Sequence, residues 1–228
     1  MDVYTSVDLV GNQAIDTTII KKHHIKKGFL KRGMDLILMV IMIPTIVPIM
    51  LIIALMIKMD SRGKVFFTHT RIGKGGRKFK VLKFRTMVLD ADKKLEQFLE
   101  KHPELKMEWK YNHKLRSDPR VTKVGRTLRR FSLDELPQFM NILKGEMSLI
   151  GPRPITDDEV AKYGDSFEFY KLVRPGLTGL WQVSGRNNTS YRRRVELDEY
   201  YVCNWSLKLD IKILIQTVKV VLMGEGAY

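Results

Sequence analysis

Two acids and several bases crowd one point of this 228-residue chain. In Arg129-Arg130-Phe131-Ser132-Leu133-Asp134-Glu135-Leu136-Pro137-Gln138, adjacent carboxylates follow closely on adjacent guanidinium groups. Adjacent carboxylates are the ligands hard cations such as Mg²⁺ take, usually one or two together with substrate phosphates. Lys123, Arg126, Arg129 and Arg130 supply charges that hold phosphates, the arginines bidentately. The combination points to phosphoryl chemistry. Acids in a first helical turn also add about 0.3–1 kcal/mol through the macrodipole with no chemistry at all, so the ten residues alone leave both readings open.

The local pattern predicts a helix start. Ser132 and Glu135 have capping-box spacing, and Phe131 can staple onto Leu136. Pro137, which lacks an N–H, fits only near a first turn, so the cap is either Ser132 or Asp134. Ahead of it, Val121, Val124, Leu128 and Phe131 mark the apolar face of a helix whose remaining faces carry the bases.

The elements around this point read as follows. Lys64–Ile72 and Lys78–Phe84, separated by Gly73, Gly75 and Gly76, form a β-hairpin, with Lys80, Lys83 and Arg85 on one face of its second strand. No Gly-Lys-Ser/Thr follows the glycines, so they read as a turn rather than a phosphate cradle. Asp90–Glu100 is a helix ending before His102-Pro103, and a shorter one passes through Met107 and Trp109. The helix after the acids stops at Gly145. In Gly151-Pro152-Arg153-Pro154, Arg153 is either pre-organised for an anion by two fixed φ angles or solvated in a turn. A polar helix spans Asp157–Lys171, and Arg174–Asn188 is a rigid hydrogen-bonding loop rather than core. Ser190–Asn204 is helical, with Arg192, Arg193 and Arg194 among Glu196 and Asp198. In Leu207–Leu222 a polar stripe of Lys208, Lys212, Gln216 and Lys219 opposes a wide apolar face, for a membrane interface or for the core.

A formal charge of +15 calls for an anionic partner: nucleic acid, an anionic membrane face or phosphorylated substrates. The single cysteine, Cys203, permits no internal disulfide, and the five scattered histidines give no zinc pattern. A run of six bases from Lys21 to Arg32 precedes Leu36–Ile57, which as a helix of about 33 Å is long enough to span a bilayer. Pro44 and Pro48 interrupt it, each costing about 3 kcal/mol or more in a straight helix. Bases follow it too (Lys58, Arg62, Lys64), whereas a span carries its excess on the cytoplasmic side only. A re-entrant hairpin broken at Pro44 or Pro48 satisfies both features; a proline-kinked span is the alternative.

Taken in order, the basic run, the proline-broken apolar segment, Lys83-Phe84-Arg85-Thr86-Met87, Ser132–Gln138, Gly151–Pro154, Arg174-Pro175-Gly176-Leu177-Thr178-Gly179 and Gly185-Arg186-Asn187 resemble the bacterial sugar transferases, the monotopic phosphoglycosyl transferases. The resemblance runs from about Lys31 to the end and is closest to the short catalytic form of the family. Val47, where members often have a small polar residue before the breaking proline, departs from it.

The resemblance implies an α+β, mostly helical fold: a polar or basic lead-in over 1–30, a proline-broken re-entrant membrane helix over 31–60, and a compact cytoplasmic catalytic domain over 61–228 with a small β-hairpin and amphipathic interfacial helices. It implies transfer of a hexose 1-phosphate from a UDP-sugar to undecaprenyl phosphate with release of UMP, at the cytoplasmic face of the bacterial inner membrane, as the first membrane step of exopolysaccharide, capsule or O-antigen synthesis. By motif position Asp134 is the nucleophile and Glu135 a Mg²⁺ ligand, with Asp198 as a second ligand. Lys83, Arg129, Arg153, Arg174 and Arg186 bind the substrate phosphates. Anionic membrane lipids and a second copy of the chain are compatible partners. A Mg²⁺-dependent membrane phosphatase or pyrophosphatase would use the same acids. A membrane-tethered nucleic-acid binder would leave them without a purpose and lacks a recognised motif, so no nucleic acid is expected.

Overall fold

The computed structural model describes residues 17–112, 115, 118–186 and 189–223, with side chains from residue 28 onward except at 108, 110–112 and 222. The lead-in before Thr17, the side chains of the first bases and Asn187 lie outside the described residues. The chain is mostly helical, with two small sheets.

The longest element follows from the apolar run. Helix α1 (Thr17–Asp60) continues through both Pro44 and Pro48, so the expected break at these residues is absent as an interruption of the helix. The physical reason lies in their spacing. Prolines four apart share one side of a helix, here the exposed side, so the backbone bonds they delete face away from the protein. The opposite stripe stays intact. Asp35, Met39, Met42, Ile46, Met50, Ile53 and Ile57 recur every three or four residues and dock along the rest of the chain, Met39 and Ile57 almost completely buried. Full burial of such side chains stabilises by about 1.5–3 kcal/mol each. The outer face, with Ile37, Val40, Ile41, Leu51, Ile52 and Leu55, is exposed.

Strands β1 (Phe66–Ile72) and β2 (Lys78–Phe84) form the expected antiparallel hairpin, pairing Phe67 with Lys83 and Thr70 with Lys80. Lys80 and Lys83, three apart, therefore point to opposite faces, and Arg85 lies beyond the strand; the shared basic face is not there. Helices α2 (Ala91–Lys101), α3 (Leu105–Asn112) and α4 (Lys123–Arg130) follow where expected. Thr122 caps α4 by accepting from the Gly125 N–H, and a Cβ at Gly125 would overlap the Thr86 backbone, so α4 lies tight against the end of the hairpin.

After α5 (Phe139–Leu143) come β3 (Ser148–Ile150), α6 (Asp157–Tyr163), α7 (Ser166–Tyr170), β4 (Gly176–Thr178), α8 (Leu180–Val183), α9 (Tyr191–Cys203) and α10 (Leu207–Met223). Two expectations fail here, and one pairing was not anticipated. The polar helix over Asp157–Lys171 is two helices, divided at Gly164 with its positive φ. Strands β3 and β4, three residues each, pair in parallel and are too short to show a period. The segment from Arg174, read as a rigid hydrogen-bonding loop rather than core, is largely core: Gly176, Leu180 and Trp181 are buried. Its glycines serve close backbone approach, since a Cβ on Gly176 or Gly179 would overlap the Gly151 backbone.

One core unites α1, α5, β3, α9 and α10 through Met39, Ile142, Leu149, Leu197, Tyr201 and Ile213. Two carboxylates are sealed within it. Asp35 accepts from the Ser148 hydroxyl at 2.8 Å and the Leu149 N–H at 3.2 Å; Asp210 accepts from the Tyr201 hydroxyl at 2.8 Å and Trp205 Nε1 at 3.0 Å. Lys31 reaches both, at 3.4 and 2.9 Å. Unpaired, each acid would cost several kcal/mol; paired, they tie α1 to β3 and α10. On the outside of α10, Ile211, Ile215 and Val218 form an exposed apolar stripe.

Candidate active site

The acids sit on a tight 3-10 turn, Leu133–Gln138, rather than at the head of an α-helix. Ser132 has φ 54 and its side chain makes no capping bond, so the capping box is not formed. The cause is competition: the Glu135 carboxylate that would reach back to Ser132 is taken by Lys83 from β2 and by Arg153. Pro137 is compatible with this turn for the reason it fits a first helical turn.

Lys83 Nζ lies 2.7 Å from Glu135 Oε1 and 3.7 Å from Asp134 Oδ2, bridging the two acids, and Arg153 Nη2 comes within 3.3 Å of the same Glu135 oxygen. Arg153 also places its guanidinium 5.9 Å from the Trp181 ring centre. Arg129 is half-buried; its Nε donates to Thr86 Oγ1 at 2.9 Å and its charge acts on Asp134. Arg186 donates to the Gln182 carbonyl at 3.2 Å and lies in the field of Glu135 and Arg153.

These surroundings drive the two acids apart. Burial would raise Glu135, but Lys83 and Arg153, by charge and by hydrogen bond, outweigh it and hold the carboxyl at about 2. Asp134 goes up: burial and the neighbouring Glu135 charge exceed the pull of Lys83, Arg129 and Arg153. The pair thus contains one carboxylate fixed as an anion and one more basic than usual, the more reactive of the two toward an electrophile.

A divalent cation fits this donor set. Both cationic contacts to Glu135 fall on Oε1, leaving Oε2 and the Asp134 carboxylate as hard oxygen donors on 13–15 % exposed side chains. Among the described residues no three acids, histidines or cysteines converge as a closed metal cage, so such an ion would draw its remaining ligands from substrate and water.

Asp198, expected as a ligand, belongs to an adjoining network. It is fully buried, accepts from the Tyr163 hydroxyl at 2.7 Å and faces Arg194 at 3.9 Å; burial, against Arg194 and that hydrogen bond, raises its pKa to about 7. Arg174 is elsewhere again, donating to the Gly145 carbonyl at 2.7 Å beside Arg32.

Sequence reasoning missed Arg71 and Glu159. Glu159 holds Arg194 at 2.9 Å and Arg71 at 3.4 Å, and Arg71 lies in the field of Arg153 and Glu135. The signal for Arg71 was the strand alternation: Phe67 pairs with Lys83, so Arg71, four residues on, shares the Lys83 face.

The bacterial sugar transferase model matches residues 26–224. The chain is 46% identical over 201 residues to the exopolysaccharide production protein ExoY of Sinorhizobium fredii (strain NBRC 101917 / NGR234), covering 88% of this chain and 89% of that protein. It is 46% identical over 200 residues to an undecaprenyl-phosphate galactose phosphotransferase of Salmonella typhimurium, and 47% over 200 residues to a UDP-galactose-lipid carrier transferase of Erwinia amylovora. Those matches take in 88% of this chain but only 42% of each relative. The chain therefore belongs to the bacterial sugar transferase family. It is an enzyme of the sugar-phosphate transferase class.

Proposed function

We propose that this protein transfers a hexose 1-phosphate from a UDP-sugar to undecaprenyl phosphate, releasing UMP, at the start of exopolysaccharide assembly. The observation that carries the reading is the divergence of the two acids under shared cations, in a chain with relatives named for transfer to undecaprenyl phosphate or a lipid carrier and for exopolysaccharide production.

Asp134 attacks the sugar-bearing phosphorus of the donor. A new P–O bond forms as the bond to the other phosphate breaks, and UMP departs with that electron pair. An oxygen of the lipid phosphate then attacks the same phosphorus and Asp134 leaves as a carboxylate. No net proton is required. Lys83, Arg153 and Arg129 neutralise the phosphate oxygens so that an anionic nucleophile can approach. Arg186 and Arg71 extend the cationic wall. Mg²⁺, held by Glu135 with substrate oxygens, would supply further charge neutralisation at the phosphates.

The docked stripe of α1 supports a topology in which it enters the membrane without crossing it. Residues near both its ends are fixed to the same body: Arg32 donates to the Ile142 and Leu143 carbonyls, and Asp60 accepts from the Val124 N–H. Both flanks then lie on the cytoplasmic side, with the exposed apolar face in the lipid. Incubation with a panel of UDP-sugars and polyprenyl phosphate tests the function: one sugar should give UMP and a lipid-linked sugar diphosphate together. UMP formed without any sugar-lipid product would instead indicate hydrolysis. Cysteines at Phe29 and Lys64 in a Cys203→Ser background should label only from the cytoplasm; periplasmic labelling of either contradicts the topology.

A further inference from the structure

Arg174 is the one expected phosphate ligand that the fold carries away from the acids. It lines a small half-open hollow of about 40 Å³ between residues 28–31 of α1, the turn of the hairpin and residues 172–174. Lys31, Lys74 and Arg174 provide its charge and Leu172, Val173 and Trp205 its apolar wall. Strand β2 separates the hairpin turn from Lys83, which puts Lys74 roughly 20–30 Å from the acids along the strand.

The charges here do not balance. Lys31 is matched by Asp35 and Asp210. Arg174 spends Nε on the Gly145 carbonyl and Arg32 binds two carbonyls, so both keep their charge without a carboxylate contact. Among the described residues no ion pair reaches Lys74 either, which stands exposed at the rim; partial desolvation and the nearby Arg174 push its pKa down. Burial and Arg32 do the same to Arg174, offset only in part by Asp35. Like charges gathered in partial shelter from water repel one another unless an anion joins them.

The lining selects the kind of anion. Leu172, Val173 and Trp205 set apolar surface beside the cations, and on the other faces of the same turn of α1 Phe29 and Leu30 are 89% and 52% exposed. A small hydrated anion gains nothing from the apolar wall, whereas an anion carrying acyl chains covers it. We propose that this hollow binds the phosphate of an anionic glycerophospholipid, at a site separate from Asp134 and Glu135. The site would fix the first turn of the docked part of α1 at headgroup level, using the same cation–headgroup attraction that concentrates bases near anionic membranes.

The test uses full-length protein released from nanodiscs of phosphatidylcholine mixed with phosphatidylglycerol, with native mass spectrometry counting retained lipid. Wild type should keep one phosphatidylglycerol and no phosphatidylcholine. Lys74→Gln should lower that occupancy about fivefold, while Lys74→Arg and Lys106→Gln, the latter an equal charge change on exposed α3, should not. UMP release by Lys74→Gln, measured with the preferred UDP-sugar, should match wild type and shows the protein to be folded. Equal retention by Lys74→Gln and wild type overturns the site. Discs of phosphatidylcholine alone, supplied with inorganic phosphate, form the second arm: a phosphate adduct that excludes phosphatidylglycerol when both are offered would make this a free-phosphate pocket and overturn the lipid assignment.

Discussion

Two regions of this protein are built from the same parts, two carboxylates bridged by one lysine. In the core, Lys31 joins Asp35 and Asp210, both 0% exposed, and every carboxylate oxygen accepts a hydrogen bond or ion pair. At the turn after α4, Lys83 joins Asp134 and Glu135, and the contacts to Glu135 fall on a single oxygen. The difference is saturation, not charge. A saturated cluster is a fastener; an unsaturated one, open on one side, can still take a cation and attack an electrophile.

The sharpest way to break this comparison is to make the same change in both clusters. Asp134→Asn should reduce turnover by roughly a thousandfold or more and leave the melting temperature near wild type, since the amide keeps the volume and relieves a buried charge. Asp35→Asn should do the reverse in kind, costing about 3–5 kcal/mol of stability because Lys31 and the Ser148 hydroxyl lose a buried acceptor. Thermal melts and UMP assays on both variants decide it. If Asp134→Asn unfolds the protein while Asp35→Asn does not, the roles are misassigned.

Next in size is Lys83→Met, which removes the shared bridge while keeping the side-chain volume. Turnover should fall by about a hundredfold or more, in the range for loss of one preorganised charge at a reacting phosphate. Glu135 should titrate higher by carboxylate-resolved NMR. An unmoved Glu135 would mean Lys83 does not set its charge state.

A smaller effect is read in pH. Glu135 is held below its unfolded value, so its contribution to stability is present above about pH 4.5 and is lost as pH falls toward about 2. Asp134 is raised, so it must lose its proton before it can attack, and turnover should decline on the acid side at a pH above the usual carboxylate range. Denaturant melts of Glu135→Gln should lack the acid loss between pH 4.5 and 2; the same loss in the variant would assign it to another group. The smallest effect belongs to an exposed pair. Arg192, whose side chain is 89% exposed beside Glu196, should change stability by less than about 0.5 kcal/mol when replaced by Ala.

What could be read from the sequence follows the length of the signal. The hairpin, α2, α4, α9 and α10 carry seven or more residues of clear period and stand where expected. The acids were conspicuous because charge is legible one residue at a time. Strands β3 and β4 carry too little pattern, and the glycines of residues 176–179 looked like a loop because their purpose, contact with the Gly151 backbone, exists only in three dimensions. Asp35 and Asp210 were passed over for the same reason. A lone acid at the edge of an apolar run gives no hint of a partner more than a hundred residues away. Pro44 and Pro48 are a different case: they leave α1 uninterrupted, and which side of the helix carries their penalty depends on what the helix docks against.

The central claim, that Asp134 forms a covalent bond to the transferred phosphate, is tested most directly by withholding the acceptor. With the right UDP-sugar and Mg²⁺ but no polyprenyl phosphate, rapid-quench measurement should show a burst of about one UMP per active site. Intact-mass analysis should then find one sugar phosphate on the protein, absent in Asp134→Asn. Full turnover on adding lipid, with no burst and no added mass before it, would contradict the covalent step and leave direct transfer between two bound substrates.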